Sequence, residues 1–106
     1  MNNVTHWTVP ADHPAFAGHF PSNPIFPGVV LLDIALHIIT EATGIDLDVC
    51  EISTVKFLSP VRSNEQILIQ HTLLETGAIR FEIVCGARKI ATGRVNNNSL
   101  KSRVLV

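Results

Sequence analysis

Five prolines fall between residues 10 and 27 (Pro10, Pro14, Pro21, Pro24 and Pro27), and they constrain this chain more than any other feature of its sequence. Each fixes its own φ, removes a backbone donor and biases the preceding residue away from the helical region, so regular helix or strand is improbable through the segment. The segment reads as a long, stiff loop. In a chain of 106 residues such a loop is usually functional, because its backbone polar groups lack ladder partners. It ends at Pro27-Gly28, directly before the strongest apolar run of the chain.

That run predicts a helix over Val29–Thr43, stopped by Gly44. Asp33, His37, Thr40 and Glu41 form one narrow polar stripe, and the remaining positions are almost all aliphatic, so the helix is expected to be buried on most sides. Beyond it the pattern changes to strands: Cys50–Leu58, Gln66–Glu75, Ile79–Cys85 and Lys89–Val95. In the third, Ile79, Phe81, Ile83 and Cys85 alternate with Arg80, Glu82, Val84 and Gly86, as in a half-buried strand. Short connections favour antiparallel pairing. The expectation is a single α+β domain over residues 1–106, an antiparallel sheet wrapped around one central buried helix. Asn96-Asn97-Asn98 is read as a turn or the start of a loose tail, and residues 96–106 as either one more edge strand or that tail.

Composition narrows the function classes. With 46% hydrophobic and only 16% charged residues, so small a domain is expected to hide apolar surface against a second subunit. Residues 1–55 carry six acids and no Lys or Arg, whereas residues 56–106 carry eight bases against three acids. Such asymmetry steers an acidic partner to one face. A net charge of −1 gives no reason to expect nucleic acid. The apolar run is interrupted by Asp33 and His37 and is too short to span a bilayer, so no membrane association is expected. No secretory signal is legible, and two widely spaced cysteines, Cys50 and Cys85, fit a reducing cytoplasm better than a disulfide or zinc framework.

Three groups around the loop and helix could carry chemistry. A helix opening at Gly28 points unpaired N–H groups and the positive end of its dipole at whatever precedes it, which suits a developing oxyanion, and Gly28 lets that oxygen approach closely. Asp33, in the early turns of an otherwise apolar helix, is either a proton donor or part of a solvated stripe. His19, in the proline-stiffened loop, is either a base held in fixed orientation or a residue satisfied by backbone partners. His37, one turn after Asp33, either hydrogen-bonds the acid and orients it or shares its exposed face. His6, His13 and His71 are weaker candidates. Asp12, His13, His19 and His37 match no standard ligand spacing, so no metal is expected.

The stretch His19-Phe20-Pro21-Ser22-Asn23-Pro24-Ile25-Phe26-Pro27-Gly28, with Asp33 beyond it, resembles the bacterial 3-hydroxyacyl-[acyl-carrier-protein] dehydratases of the hot-dog fold, whose signature is His-Phe-x-Gly-x-Pro-x-x-Pro-Gly running into a helix. Val55-Lys56-Phe57-Leu58-Ser59-Pro60-Val61 resembles a second motif of that family, and the likeness spans residues 12–95. The resemblance implies that His19 abstracts the C2 proton of a 3-hydroxyacyl thioester, that Asp33 assists loss of the C3 hydroxyl, and that Gly28 at the Pro27-Gly28 helix start polarises the thioester carbonyl. It places the carbonyl that orients the histidine on Ile25. It also implies a homodimer with active sites at the subunit interface, no cofactor, and a substrate carried by acyl carrier protein. Three departures stand out: Ser22 for the usual glycine, Phe26 where Met or Leu is common and so able to reshape the acyl tunnel, and His37 for the usual glutamine. The compact length is similar to dehydratases of specialised pathways such as aryl-polyene synthesis.

The expected activity is therefore dehydration to a trans-2-enoyl thioester, with Lys56, Arg62, Arg88 and Lys89 as candidate docking residues for the acidic carrier. Two other readings remain open at this stage. One is a hot-dog acyl-thioesterase, which does not generally need the loop base. The other is a non-catalytic partner subunit of a dehydratase complex.

Overall fold

The computed structural model describes residues 2–14, 25–45 and 50–97. Its elements in chain order are β1 (Asn2–Thr8), α1 (Gly28–Thr43), β2 (Cys50–Phe57), β3 (Gln66–Leu73), β4 (Ile79–Cys85) and β5 (Arg88–Asn97). The strands form one antiparallel sheet in the order β1-β3-β4-β5-β2. Strands β3, β4 and β5 are a meander. Its turns use Gly77 (φ 90°) and Gly86 (φ 60°), conformations that L side chains rarely adopt.

The α+β class expected from the sequence is the one observed. Alternation sets which face is core: Ile67, Ile69 and His71 on β3, Ile79, Phe81 and Ile83 on β4, and Ala91, Gly93 and Val95 on β5 are buried. Helix α1 joins this core through Leu31, Ala35 and Ile39, a row at i, i+4 and i+8. It ends where Gly44 turns left-handed (φ 74°) and donates its N–H to the Thr40 carbonyl at 2.8 Å.

The structure departs from the sequence reading in three places. Strand β1 was not expected, yet it pairs with β3 from Asn2↔Thr72 to Thr8↔Gln66. Its signal was present in miniature: Thr5, Trp7 and Val9 face inward while Val4, His6 and Thr8 face out. Asn96 and Asn97 are not a turn; they extend β5, opposite Glu51 and Cys50 of β2. The ladder groups that β2 offers outweigh the turn preference of asparagine. Finally, only one row of α1 is buried in this chain, and its flanks are half-buried or exposed, with Val29 at 76%. Residues 98–106 lie outside the described residues.

Candidate active site

The approach to α1 is anchored by backbone. The Phe26 N–H donates to the Val61 carbonyl at 2.7 Å, and the Phe26 ring is buried against Trp7 (centroids 5.9 Å apart) and edge-on to His13 (4.9 Å). Phe26 is thus a core residue as well as part of the cleft wall. Pro27 follows in extended conformation (φ −61°, ψ 134°), and its carbonyl accepts the Leu31 N–H at 3.1 Å. The helix starts with no side-chain cap and no acid in its first turn. Its free N–H groups and positive dipole end are therefore not neutralised by its own side chains.

This helix start opens on an apolar cleft of about 470 Å³ whose walls include Ile25, Gly28, Leu31, Phe57 and Ile90. Gly28 is tightly covered. A Cβ placed there would meet Phe57 Cε1 at 3.0 Å and Cδ1 at 3.1 Å. Phe57 is a site residue to which the sequence reading gave no role, although it lies inside the second motif. Its position on the wall depends on β2 running beside β5, a long-range pairing that local pattern does not reveal.

Asp33 and His37 stand together on the open side of α1. The His37 Nδ1–H donates to the Asp33 carbonyl oxygen at 2.8 Å, and the same nitrogen is 3.6 Å from Asp33 Oδ1. The side chains are 71% and 61% exposed respectively, so the apolar surroundings expected of Asp33 are not supplied by the described residues. With Nδ1 acting as donor, the neutral ring turns its Nε2 lone pair outward. Val29, Asp33 and His37 form one exposed row at i, i+4 and i+8. His19 lies outside the described residues, so the structure brings Ile25, Phe26 and Gly28 together at the cleft, with Pro27 as the residue before the helix rather than a lining residue, and leaves the loop base unplaced.

Away from the cleft, Glu65 gathers three partners: the Arg62 N–H at 2.7 Å, the Arg88 guanidinium at 2.7 Å and the Cys85 thiol at 3.5 Å. Burial pushes its carboxyl up, but these donors more than offset that and hold it below the ordinary range. The same burial and the neighbouring carboxylate push the Cys85 thiol up, away from a reactive thiolate. No three His, Cys, Asp or Glu side chains come together as a metal site among the described residues.

Against known proteins, residues 2–94 match the ApeI-like family model, described as ApeI dehydratase. The chain belongs to the ApeI-like dehydratase family. Among curated relatives it is 30% identical to a 3-hydroxyacyl-[acyl-carrier-protein] dehydratase FabZ of Pasteurella multocida, covering 81% of this chain and 68% of that one. It is 26% identical to a FabZ of Syntrophobacter fumaroxidans, covering 78% and 58%. The chain therefore spans between a little over half and two thirds of the length of these relatives. Among solved structures, a chain of the dehydratase heterocomplex ApeI:P from Xenorhabdus doucetiae superposes with a TM-score of 0.73 at 22% identity, covering 90% of this chain and 85% of that one. At that identity the likeness speaks for the fold, and the fold is the hot-dog arrangement expected from the motif. No helix among the described residues is long and apolar enough to cross a membrane.

Proposed function

We propose that this ApeI-like family member removes water from a 3-hydroxyacyl thioester, presented by an acyl carrier protein, to give the trans-2-enoyl thioester. The observation that carries the reading is the α1 start: an uncapped, acid-free helix N-terminus at Gly28 facing an apolar cleft. The thioester carbonyl is set against the Gly28 N–H, where the charge that develops on its oxygen as C2 loses a proton is stabilised. His19 takes that proton. The C2–H electron pair becomes the C2–C3 double bond, the C3–O bond breaks, and Asp33 gives its proton to the departing hydroxyl, which leaves as water. The imidazolium proton then restores the acid, directly or through water. No electrons are exchanged with an outside group, so the reaction needs no cofactor. The apolar lining of the cleft fits an apolar acyl group.

Asp33 does its work here in a cytoplasmic homodimer. Its row on α1, including Val29 at 76% exposure, is the face a second copy covers, and that burial supplies the apolar surroundings an acid donor needs. His37, tied to the Asp33 carbonyl, is its positioning residue.

The test follows enoyl formation from a panel of 3-hydroxyacyl carrier-protein substrates in wild type, His19→Ala and Asp33→Asn, with the oligomeric state measured by light scattering. The expected result is dehydration lost in both variants from an intact dimer. Release of free thiol instead of enoyl product would replace this reading with hydrolysis. No turnover from a folded homodimer would replace it with a non-catalytic partner subunit.

A further inference from the structure

The segment that joins β2 to β3, residues 58–65, forms one wall of the cleft through Leu58, Ser59, Pro60 and Val61, and it is tied down at both ends. At its start the Leu58 and Ser59 N–H groups donate to the Ile90 carbonyl on β5, at 2.8 and 3.3 Å. At its end Asn64 takes a left-handed conformation (φ 65°), which asparagine tolerates better than most residues. Two reciprocal backbone bonds pin that turn to Val9: the Asn64 N–H donates to the Val9 carbonyl at 2.8 Å, and the Val9 N–H donates to the Glu65 carbonyl at 3.0 Å.

Between these ends lies the peptide group of Val61 and Arg62, and both of its polar atoms are used. Its N–H donates to Glu65 Oε1 at 2.7 Å, and its carbonyl accepts the Phe26 N–H at 2.7 Å in an isolated antiparallel bridge. In a trans peptide the N–H and the C=O point in opposite directions within one plane, so this unit is a rigid bar with the Glu65 carboxylate at one end and Phe26 at the other. An ionised acceptor makes the stronger bond at its own end and polarises the amide, which makes the carbonyl a better acceptor at the far end. The other carboxylate oxygen, Oε2, accepts from Arg88 Nη2 at 2.7 Å and from the Cys85 thiol at 3.5 Å, both from the β4–β5 hairpin, so the carboxylate is held on three sides. Of the four docking candidates named from the sequence, Arg62 is thus engaged through its backbone and Arg88 through its side chain, and Lys89 is paired with Glu82 at 3.7 Å.

The bar reaches the helix start. Pro27 has no N–H, so the Phe26 bond is the last that the backbone donates ahead of Gly28, and the Pro27 ring fixes φ (−61°) between the two. A change of direction at Phe26 is therefore carried into the Gly28 N–H with little slack. Burial of the Phe26 ring keeps the residue in the core but does not set the direction in which its backbone leaves; the bond to Val61 does. From this geometry we infer that Glu65 is a positioning residue for the helix start: through the 61–62 peptide it sets where the Gly28 N–H points. Its use in the reaction rests on the reading under Proposed function; the positioning itself does not.

The test compares Glu65→Ala, Glu65→Gln and Arg88→Gln in the full chain. Glu65→Ala and Arg88→Gln both break the ion pair, but only Glu65→Ala takes the acceptor away from the Arg62 N–H, so a residue that served only as half of a salt bridge would give equal effects in both. The expected result in Glu65→Ala is a fall in kcat of about tenfold with KM within about twofold of wild type, because a displaced donor forfeits mainly the charge that develops in the transition state. Glu65→Gln, whose amide oxygen still accepts the Arg62 N–H, recovers most of that loss, and Arg88→Gln loses less than about threefold. Added to Gly28→Ala, Glu65→Ala costs less than about twofold further, since the donor is already blocked; a general loosening would multiply the two losses instead. Amide hydrogen exchange supplies a readout that needs no turnover: the Phe26 N–H, measured relative to Ile83 at the centre of β4, should exchange at least about tenfold faster in Glu65→Ala and nearly as wild type in Arg88→Gln. A general loss of stability speeds both amides and leaves that ratio unchanged. Multiplied losses in the double variant, equal losses in Glu65→Ala and Arg88→Gln, or an unmoved ratio in Glu65→Ala would each overturn the proposal. Faster Phe26 exchange in a chain that forms no enoyl product would uphold the positioning and overturn the dehydratase reading, and enoyl formation with an unmoved Phe26 amide would do the reverse.

Discussion

At the scale of single residues, the site turns on how little room Gly28 has. A methyl group there would stand 3.0 Å from Phe57 Cε1, but Phe57 is half-exposed and its ring can swing aside. Folding should therefore tolerate Gly28→Ala, since alanine is also the better helix former. The reaction should not, because the methyl occupies the approach of the thioester oxygen to the helix N–H. The expected outcome is a fall in kcat/KM on the order of 10²-fold, the loss typical of a missing oxyanion donor, at an unchanged or raised melting temperature. Steady-state kinetics and a thermal melt on one sample decide it; a fall in both together would point to a folding defect instead. Asp33 and His37 carry the complementary lesson. Their mutual geometry is set within one helix turn, but their environment is not, since both face away from the chain's own core.

At the scale of elements, the sheet is held in register by a cross-strand pair that resembles a socket. Phe81 on β4 lies opposite Gly93 on β5, and its ring covers the glycine so closely that a Cβ there would fall 2.4 Å from Phe81 Cζ and 2.9 Å from the Thr54 carbonyl oxygen. Phe81 is 1% exposed and the Thr54 oxygen is backbone, so neither gives way easily. Gly93→Ala should cost about 2–3 kcal/mol or more in urea unfolding, the upper range for overpacking a core. Phe81→Leu in the same chain should recover part of that loss, because it clears the ring though not the backbone oxygen. Additive losses in the double variant would show that the ring is not what excludes the methyl.

At the scale of the whole molecule, stability should respond to acid in two steps. His71 is 2% exposed, and neither ring nitrogen has a partner among the described residues. Burial holds its pKa below the ordinary 6.5, so the folded state keeps the ring neutral while the unfolded chain takes up a proton. Stability is thus fully present above about pH 6.5 and falls as the pH drops below it, until the folded pKa is passed. Glu65 acts lower. Its pKa is held below 4.5, so its contribution is present above that value and is lost as the pH falls through the depressed folded value. Urea midpoints measured from pH 8 to 3 should show both steps, with the first absent in His71→Phe and the second absent in Glu65→Gln. A single step that survives in His71→Phe would assign the upper titration to another group.

How much of this was legible beforehand follows from range. The Pro27-Gly28 helix start, the Gly44 stop and four of the five strands are local matters of φ restriction and side-chain period, and the sequence alone determined them. So did the family, because its signature is contiguous. β1 escaped because its alternation is short and blurred, with polar Thr5 on the inward side and apolar Val4 on the outward side, and its partner, β3, lies some 60 residues away. The Asn96-Asn97 extension escaped for the same reason, since the β2 ladder that recruits it is far off in sequence. Only the tertiary structure decided that Phe57 closes over Gly28 and that Arg88 and Lys89 are already paired. Each of those depends on which strand lies beside which, and strand order is fixed by long-range pairing and burial rather than by any window of neighbouring residues.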